Sequence, residues 1–172
     1  MSEKYRMLSV EDALDLVLAQ VRPLGRERVP ILHALRRVLA EDVYADTDIP
    51  PLSNSAMDGY AVRAADALGA SRESPARLRV IYDLAAGHTT DLVVTAGAAI
   101  RIMTGAPMPS GADTVIPFED VELDGDWVTI RRPYSLGKNV RPAGEDVRRG
   151  QLVLKEGTVV RPQEVGMLAA LG

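Results

Sequence analysis

The stretch P-P-L-S-N-S-A-M-D-G-Y-A-V-R, Pro50 to Arg63, separates two textures of this chain. Ser53, Asn54 and Ser55 stand between two prolines and Asp58-Gly59, and an apolar run follows through Tyr60, Ala61 and Val62. Small polar side chains satisfy turn amides, and Gly59 allows a backbone that other residues resist, so one reading is a turn into a strand. The other holds Asp58 at a strand entrance, where it binds a cation or positions a water. Composition alone does not separate the two.

Before this stretch the pattern is helical. Ser9 is placed to cap a helix whose first turn carries Glu11 and Asp12, suited to the positive end of the helix dipole. Val10, Leu14, Val17 and Val21 recur at helical spacing until Pro23 stops the run. A shorter helix is expected over Leu32–Glu41, with Leu32, Leu35, Val38 and Leu39 on one face. Beyond Pro50, short β-prone runs alternate with Gly, Pro and Asp: Tyr60–Val62, Leu78–Tyr82, Ala99–Met103, Thr114–Phe118 and Trp127–Ile130. In V-E-L-D-G-D-W-V-T-I, Asp124-Gly125 offers the positive φ angles of a tight hairpin turn. Leu152–Leu154 and Thr158–Val160 read as a second hairpin turned at Glu156-Gly157, and a last helix starts at Pro162.

Helices at both ends around a β-rich middle, without βαβ alternation, predict an α+β fold rather than a doubly wound sheet. The expected layout is a discontinuous outer lobe, residues 1–45 plus 148–172, around an inserted, barrel-like β domain, residues 46–147. The abrupt close at Leu171-Gly172 is read as the mark of a fragment.

Composition narrows the function. Among 172 residues, 47% are hydrophobic and 26% charged, an ordinary globular balance with length enough for a core. A net charge of −4 without like-charge blocks, and aromatics at 4%, argue against nucleic-acid binding. With no cysteine, disulfides and thiolate metal sites are excluded, and His33 and His88 have no metal-ligand spacing. No signal peptide or membrane-length apolar run is visible, so the cytoplasm is the expected location.

Two more loops carry chemistry. In R-I-M-T-G-A-P-M-P-S-G-A-D, Arg101 to Asp113, a strand ends at Met103 and Thr104 is the first polar side chain beyond it. Its glycines let backbone amides approach a ligand and its prolines stiffen the loop; the plain alternative is a rigid structural loop. In K-N-V-R-P-A-G-E-D-V-R-R-G, Lys138 to Gly150, Glu145 and Asp146 lie among basic residues: a carboxylate there stays ionised and suits metal binding, and the basic side chains suit phosphate oxygens. A charged linker is the alternative there.

Together, N-S-A-M-D-G-Y-A-V-R, then R-I-M-T-G-A-P-M-P with G-A-D, then N-V-R with G-E-D resemble the N-terminal half of the molybdopterin molybdenumtransferase family. This is the MoeA family, whose eukaryotic members include the E domain of gephyrin. The resemblance extends over essentially the whole chain, including the closing P-Q-E-V-G-M-L-A-A-L-G. It implies the last step of molybdenum cofactor synthesis: adenylylated molybdopterin is bound, its phosphoanhydride is cleaved, molybdate is inserted and AMP leaves. It implies functional roles for Asp58, Thr104 and Asp146, Mg²⁺ at Asp58 and Asp146, and cofactor contacts from Ser55, Gly105 and Arg141. It further implies an elongated homodimer whose cleft joins this β domain to an α/β domain of the other subunit. The first helix would then face that domain, leaving its stripe partly exposed, and the molybdopterin adenylyltransferase is an expected partner. A non-catalytic dimerisation or scaffold module is the alternative, and a stand-alone Mg²⁺-dependent hydrolase is a third reading.

Overall fold

The structure, a computed structural model, describes residues 8–22 and 24–172. Helix α1 runs over Val10–Leu18, and the Asp12 N–H donates to the capping Ser9 Oγ at 3.0 Å. The stop expected at Pro23 lies outside the described residues. Val10, Leu14 and Val17 are exposed, so the apolar stripe of α1 is uncovered among the described residues.

The helix expected over Leu32–Glu41 does not form. A single 3-10 turn, Ile31–His33, takes its place, and the chain then pairs with the C-terminal segment. The Arg36 N–H donates to the Val160 carbonyl at 2.7 Å, Val160 returns a bond to Arg37 at 2.8 Å, and Leu39 donates to Thr158 at 2.9 Å. Arg36 sits at φ 66, a left-handed conformation that breaks a helix. Partner segments remote in sequence overrode a helical pattern, as tertiary context often does.

Strand β1 (Val43–Tyr44) continues this layer. Strands β2 (Asn54–Ser55) and β3 (Gly59–Val62) follow, then the short helix α2 (Ala64–Ala67). Next come β4 (Ala76–Leu84), β5 (Ala98–Ile102), β6 (Thr114–Pro117), β7 (Val121–Asp124) and β8 (Trp127–Ile130). Strands β9 (Val140–Arg141) and β10 (Leu152–Leu154) and helix α3 (Pro162–Leu171) complete the chain. Strand β10 pairs antiparallel with β1, so the hairpin expected between Leu152–Leu154 and Thr158–Val160 is replaced. The chain does turn at Glu156-Gly157, with Gly157 at φ 83, but both arms pair with residues 36–44. Helix α3 begins at Pro162 as expected and packs on the Ile31–His33 turn; the Arg161 N–H donates to Glu164 Oε2 at 2.9 Å.

The middle of the chain forms one six-stranded sheet in the order β6-β3-β5-β4-β8-β7, curled into a half barrel. All its pairings are antiparallel except β4 with β5, which are joined by an irregular crossover over residues 85–97. The β7–β8 hairpin forms as expected with a shifted turn. Asp124 pairs with Trp127, the two-residue loop is Gly125-Asp126, and of that pair only Gly125, at φ 59, has positive φ.

Burial on both sheet faces explains why β3, β5 and β6 read as nearly continuous apolar runs, interrupted by Arg101 in β5 and Thr114 in β6. Tyr60, Val62, Ala99 and Ile116 join Leu78, Val128 and Ile130 on the inner face, beneath Ala67 and Ala70 of the α2 segment. Ala61, Ile100, Ile102 and Val115 point the other way, against Leu84, Val94 and Ala106. The core is therefore largely aliphatic, with its few aromatics gathered on one face, where Tyr60 and Tyr134 are buried and Phe118 packs edge-on to Tyr60.

Gly59 has a cause different from the one its turn-like neighbours suggest. Its φ is not positive; it is a strand residue in the middle of three strands. A Cβ there would lie 2.2 Å from the Ile116 carbonyl oxygen, a backbone atom of β6. Gly59→Ala is therefore expected to cost about 1–3 kcal/mol of unfolding free energy, the range of overpacked cores. Gly69→Ala, which adds a Cβ in open space, should stay within about 0.5 kcal/mol of the parent. Urea unfolding of both variants checks this, and equal stabilities would contradict the close-approach account.

Candidate functional site

The three loops singled out in the sequence meet through their backbones. Ser55 N–H donates to Ala106 O at 3.0 Å, Gly105 N–H to Ser55 O at 2.8 Å, and Met108 N–H to Ser53 O at 2.9 Å. On the other side β2 pairs with β9, Asn54 opposite Arg141 and Ser55 opposite Val140, and Ala56 N–H donates to Asn139 O at 3.0 Å. The Asn54–Gly59 segment is thus laced between the Thr104 loop and the Asn139 loop. Asn139 holds φ 58, a conformation Asn tolerates well, and its Nδ2 donates to Val115 O at 2.8 Å. Sequence reading gave Asn139 no role; an Asn beside the Leu136-Gly137 turn was the available signal.

Asp58 and Thr104 come together. Asp58 Oδ1 accepts two hydrogen bonds from Thr104, from the backbone N–H at 2.8 Å and from the hydroxyl at 2.7 Å. These bonds, the backbone one first, hold the Asp58 carboxyl below the usual carboxylate range; burial opposes them weakly and the Arg101 charge adds to them. Asp58 is consequently ionised at neutral pH and acts as an acceptor or ligand, not as an acid. Because an ionised carboxylate cannot donate, the Thr104 hydroxyl proton is committed to Asp58. Only its lone pairs face outward, so Thr104 positions Asp58 rather than donating to an oxyanion. Asp58 Oδ2 has no hydrogen-bond partner among the described residues and points the remaining acceptor of the pair outward.

Asp146 lies in a separate cluster. Arg141 donates from Nη2 to Asp146 Oδ2 and from Nε to Glu145 Oε2, each at 2.9 Å, and the two carboxylates hold the Arg141 charge more firmly than usual. The β2–β9 register explains the separation: leaving it, Asp58 follows Ser55 past the Val140 end, while Asp146 continues from the Arg141 end to donate its N–H to Ile49 O at 2.9 Å. Ser55 is 1% exposed, and its hydroxyl donates to Met57 O at 2.5 Å, which closes the turn before Asp58. Gly105, at φ 81, spends its N–H on Ser55 and supplies the bend after Thr104. Ser55 and Gly105 thus shape the loops that present Asp58.

Mg²⁺ is commonly held by one or two carboxylates, with phosphates and water completing its shell. Asp58 fits such a partial site through Oδ2. No group of three or more His, Cys, Asp or Glu side chains able to hold a metal occurs among the described residues, so this chain does not make a closed cage.

Arg101 is a member of the site that the sequence reading passed over, although a lone charge inside the apolar run Ala98–Ile102 was a signal. On β5 it lies opposite both Tyr60 of β3 and Asp83 of β4. Its Nη1 donates to Asp83 Oδ2 at 3.0 Å, and its guanidinium stacks 5.0 Å from the Phe118 ring centre, an arrangement that favours a cation. Beside it the half barrel opens into two adjoining cavities of about 390 and 600 Å³.

Replacing Thr104 by Val removes the hydroxyl bond to Asp58 and keeps the backbone one. The Asp58 pKa, read from its carboxyl carbon shift by NMR, is expected to rise yet remain below that of an unbonded aspartate. An unchanged value would contradict the pairing. In the parent protein the sign is equally definite: Asp58 contributes stability above the ordinary carboxylate pKa and loses it as pH falls through its own lowered one.

The family described as "MoeA N-terminal region (domain I and II)" matches residues 8–172. Molybdopterin molybdenumtransferase 2 of Mycobacterium tuberculosis is 42% identical over 166 residues, covering 96% of this chain and 41% of that protein. Molybdopterin molybdenumtransferase of Staphylococcus aureus is 38% identical over 171 residues, covering 99% and 41%. The crystal structure of the molybdopterin biosynthesis moeA protein from Pyrococcus horikoshii OT3 superposes with a TM-score of 0.91 at 42% identity, over 97% of this chain and 44% of that one. The chain spans about two fifths of the length of the curated relatives it matches. With a match that runs from Leu8 to Gly172 and a shared fold, the chain belongs to the MoeA family and corresponds to its N-terminal region.

Proposed function

We propose that this chain supplies one wall of the active cleft of a molybdopterin molybdenumtransferase, the enzyme that inserts molybdate into adenylylated molybdopterin with release of AMP. The observation that carries the reading is the Asp58–Thr104 pair, a carboxylate fixed by two bonds to one oxygen and open at the other. Fixing one oxygen removes a rotational freedom that would otherwise have to be lost at the reacting centre. Asp58 then orients the nucleophilic oxygen beside the phosphoanhydride, and Thr104 keeps it aimed. Asp146, steadied by Arg141, is assigned to the opposite end of the same wall. Mg²⁺ would neutralise phosphate oxygens, with Asp58 as its one carboxylate ligand from this wall and phosphate and water completing its shell, while Asp146, on its separate loop, would meet the substrate at the other end.

In this reading residues 46–147 are the inserted domain, and 1–45 with 148–172 form the lobe that carries it. The pairing of residues 36–44 with 152–160 supports that division. The complete protein is a homodimer in the cytoplasm, with the second wall contributed by the partner subunit, and receives its substrate from the molybdopterin adenylyltransferase. No helix among the described residues is long and apolar enough to cross a membrane. The exposed stripe of α1 is consistent with a face reserved for a further domain.

A scaffold reading is favoured by one observation: Arg141 ties Glu145 and Asp146 together within their own loop, each through one carboxylate oxygen, a contact that serves the loop's structure. Asp58→Ala and Asp146→Ala in the full-length protein distinguish the two. Both variants should fold and lose cofactor formation, measured as AMP released from adenylylated molybdopterin. Full activity in both would leave only the scaffold reading. The isolated 172-residue chain, holding one wall, should release no AMP, and measurable turnover by it would overturn the divided-cleft assignment.

A further inference from the structure

The two cavities beside Arg101 are continuous in their walls, sharing Val80, Arg101 and Asp126. The smaller has an apolar lining of Tyr60, Phe118, Val80, Val121 and Leu123, where the inner sheet face runs out between β3 and β7. The mouth is shaped by two irregularities. Strand β4 carries a bulge between Val80 and Tyr82, and the Val80 N–H donates to Asp126 O at 2.7 Å, which folds the Gly125-Asp126 turn over β4. Bulges of this kind redirect side chains at functional rims.

The polar groups of the mouth balance. Arg79 and Arg101 face Asp83 and Asp126, so an anion gains little, and Asp58 close by would repel one further. Arg101 spends Nη1 on Asp83 and lies over the Phe118 ring, while its Nε and Nη2 have no partner among the described residues. The Asp126 carboxylate likewise has none. A rigid donor fork and a free acceptor above an apolar floor match a ligand with flat faces and polar edges. The volume of about 390 Å³ lies in the range of small-molecule pockets.

We propose that this mouth is a subsite for a flat, uncharged nitrogen heterocycle, with Arg101 donating to a ring nitrogen or carbonyl and Asp126 accepting from an exocyclic amine. The inference rests on the functional reading above, whose substrate carries two such rings, adenine and pterin, on either side of the phosphoanhydride. A ring in the mouth places the phosphate chain along the strand ends toward Asp58 and Thr104, since Arg101 is only three residues before Thr104 on β5 and its loop.

The test uses the full-length protein with AMP, followed by titration calorimetry, and 6-hydroxymethylpterin, followed by its own fluorescence. The variants are Arg101→Ala, Asp126→Ala and Leu123→Trp; Leu123 is exposed on the hairpin, so the larger ring fills the mouth without entering the core. All three should weaken one of the two ligands about tenfold or more, with thermal unfolding of Asp126→Ala and Leu123→Trp unchanged. The ligand affected identifies the ring. Parent-like affinity for both ligands in the folded variants, or no binding of either ligand by the parent, would overturn the proposal. If Asp58→Ala is inactive in the same series, that failure belongs to the mouth alone; a fully active Asp58→Ala overturns the functional reading itself.

Discussion

Strand β3 passes between β5 and β6 with no spare room, and the rest of the β unit is arranged around that passage. Gly59 admits it by leaving empty the space that a Cβ would take against Ile116 O. Once β3 is seated, Asp58 stands at its entrance and Thr104 just past the end of its antiparallel neighbour β5, so the two meet across the sheet edge. Packing alone therefore delivers the carboxylate to its hydroxyl. The site is a consequence of strand register, and the loops of Ser55, Gly105 and Asn139 hold that register at the rim.

The β-rich middle was legible because its signals are local. Tyr60–Val62, Leu78–Tyr82, Ala99–Met103 and Trp127–Ile130 all lie in strands, to within a residue or two, and Ser9 and Pro162 open helices as their chemistry requires. What failed was non-local. Leu32, Leu35, Val38 and Leu39 carry a helical period, yet residues 36–39 pair with a segment more than a hundred residues away, and no local pattern announces such a partner. The same distant pairing broke the expected C-terminal hairpin.

The site was legible in part. Motif reading named Asp58 and Thr104, and the structure joins them. It also grouped Asp146 with Asp58, whereas the β2–β9 register carries the two carboxylates away in opposite directions. Ser55 looked like a contact residue, and burial shows it closing a turn. Arg101 was missed because a charge in a strand has no meaning until the facing strands are known. Only the ladder shows it standing between Tyr60 and Asp83. Side-chain type suggested chemistry, but register decided which chemistries are neighbours.

One fixed carboxylate oxygen, with no closed metal cage among the described residues, fits the proposed reading of a wall whose cleft is completed by substrate phosphates and a second protein surface. That view depends on the Asp58–Thr104 bond holding in solution, and amide hydrogen exchange at Thr104 tests it most directly. The Thr104 N–H should exchange slowly at neutral pH, and in Asp58→Ala it should exchange at least about tenfold faster while the Ile100 and Val115 amides keep their protection. Equal exchange at Thr104 in parent and variant would contradict the account.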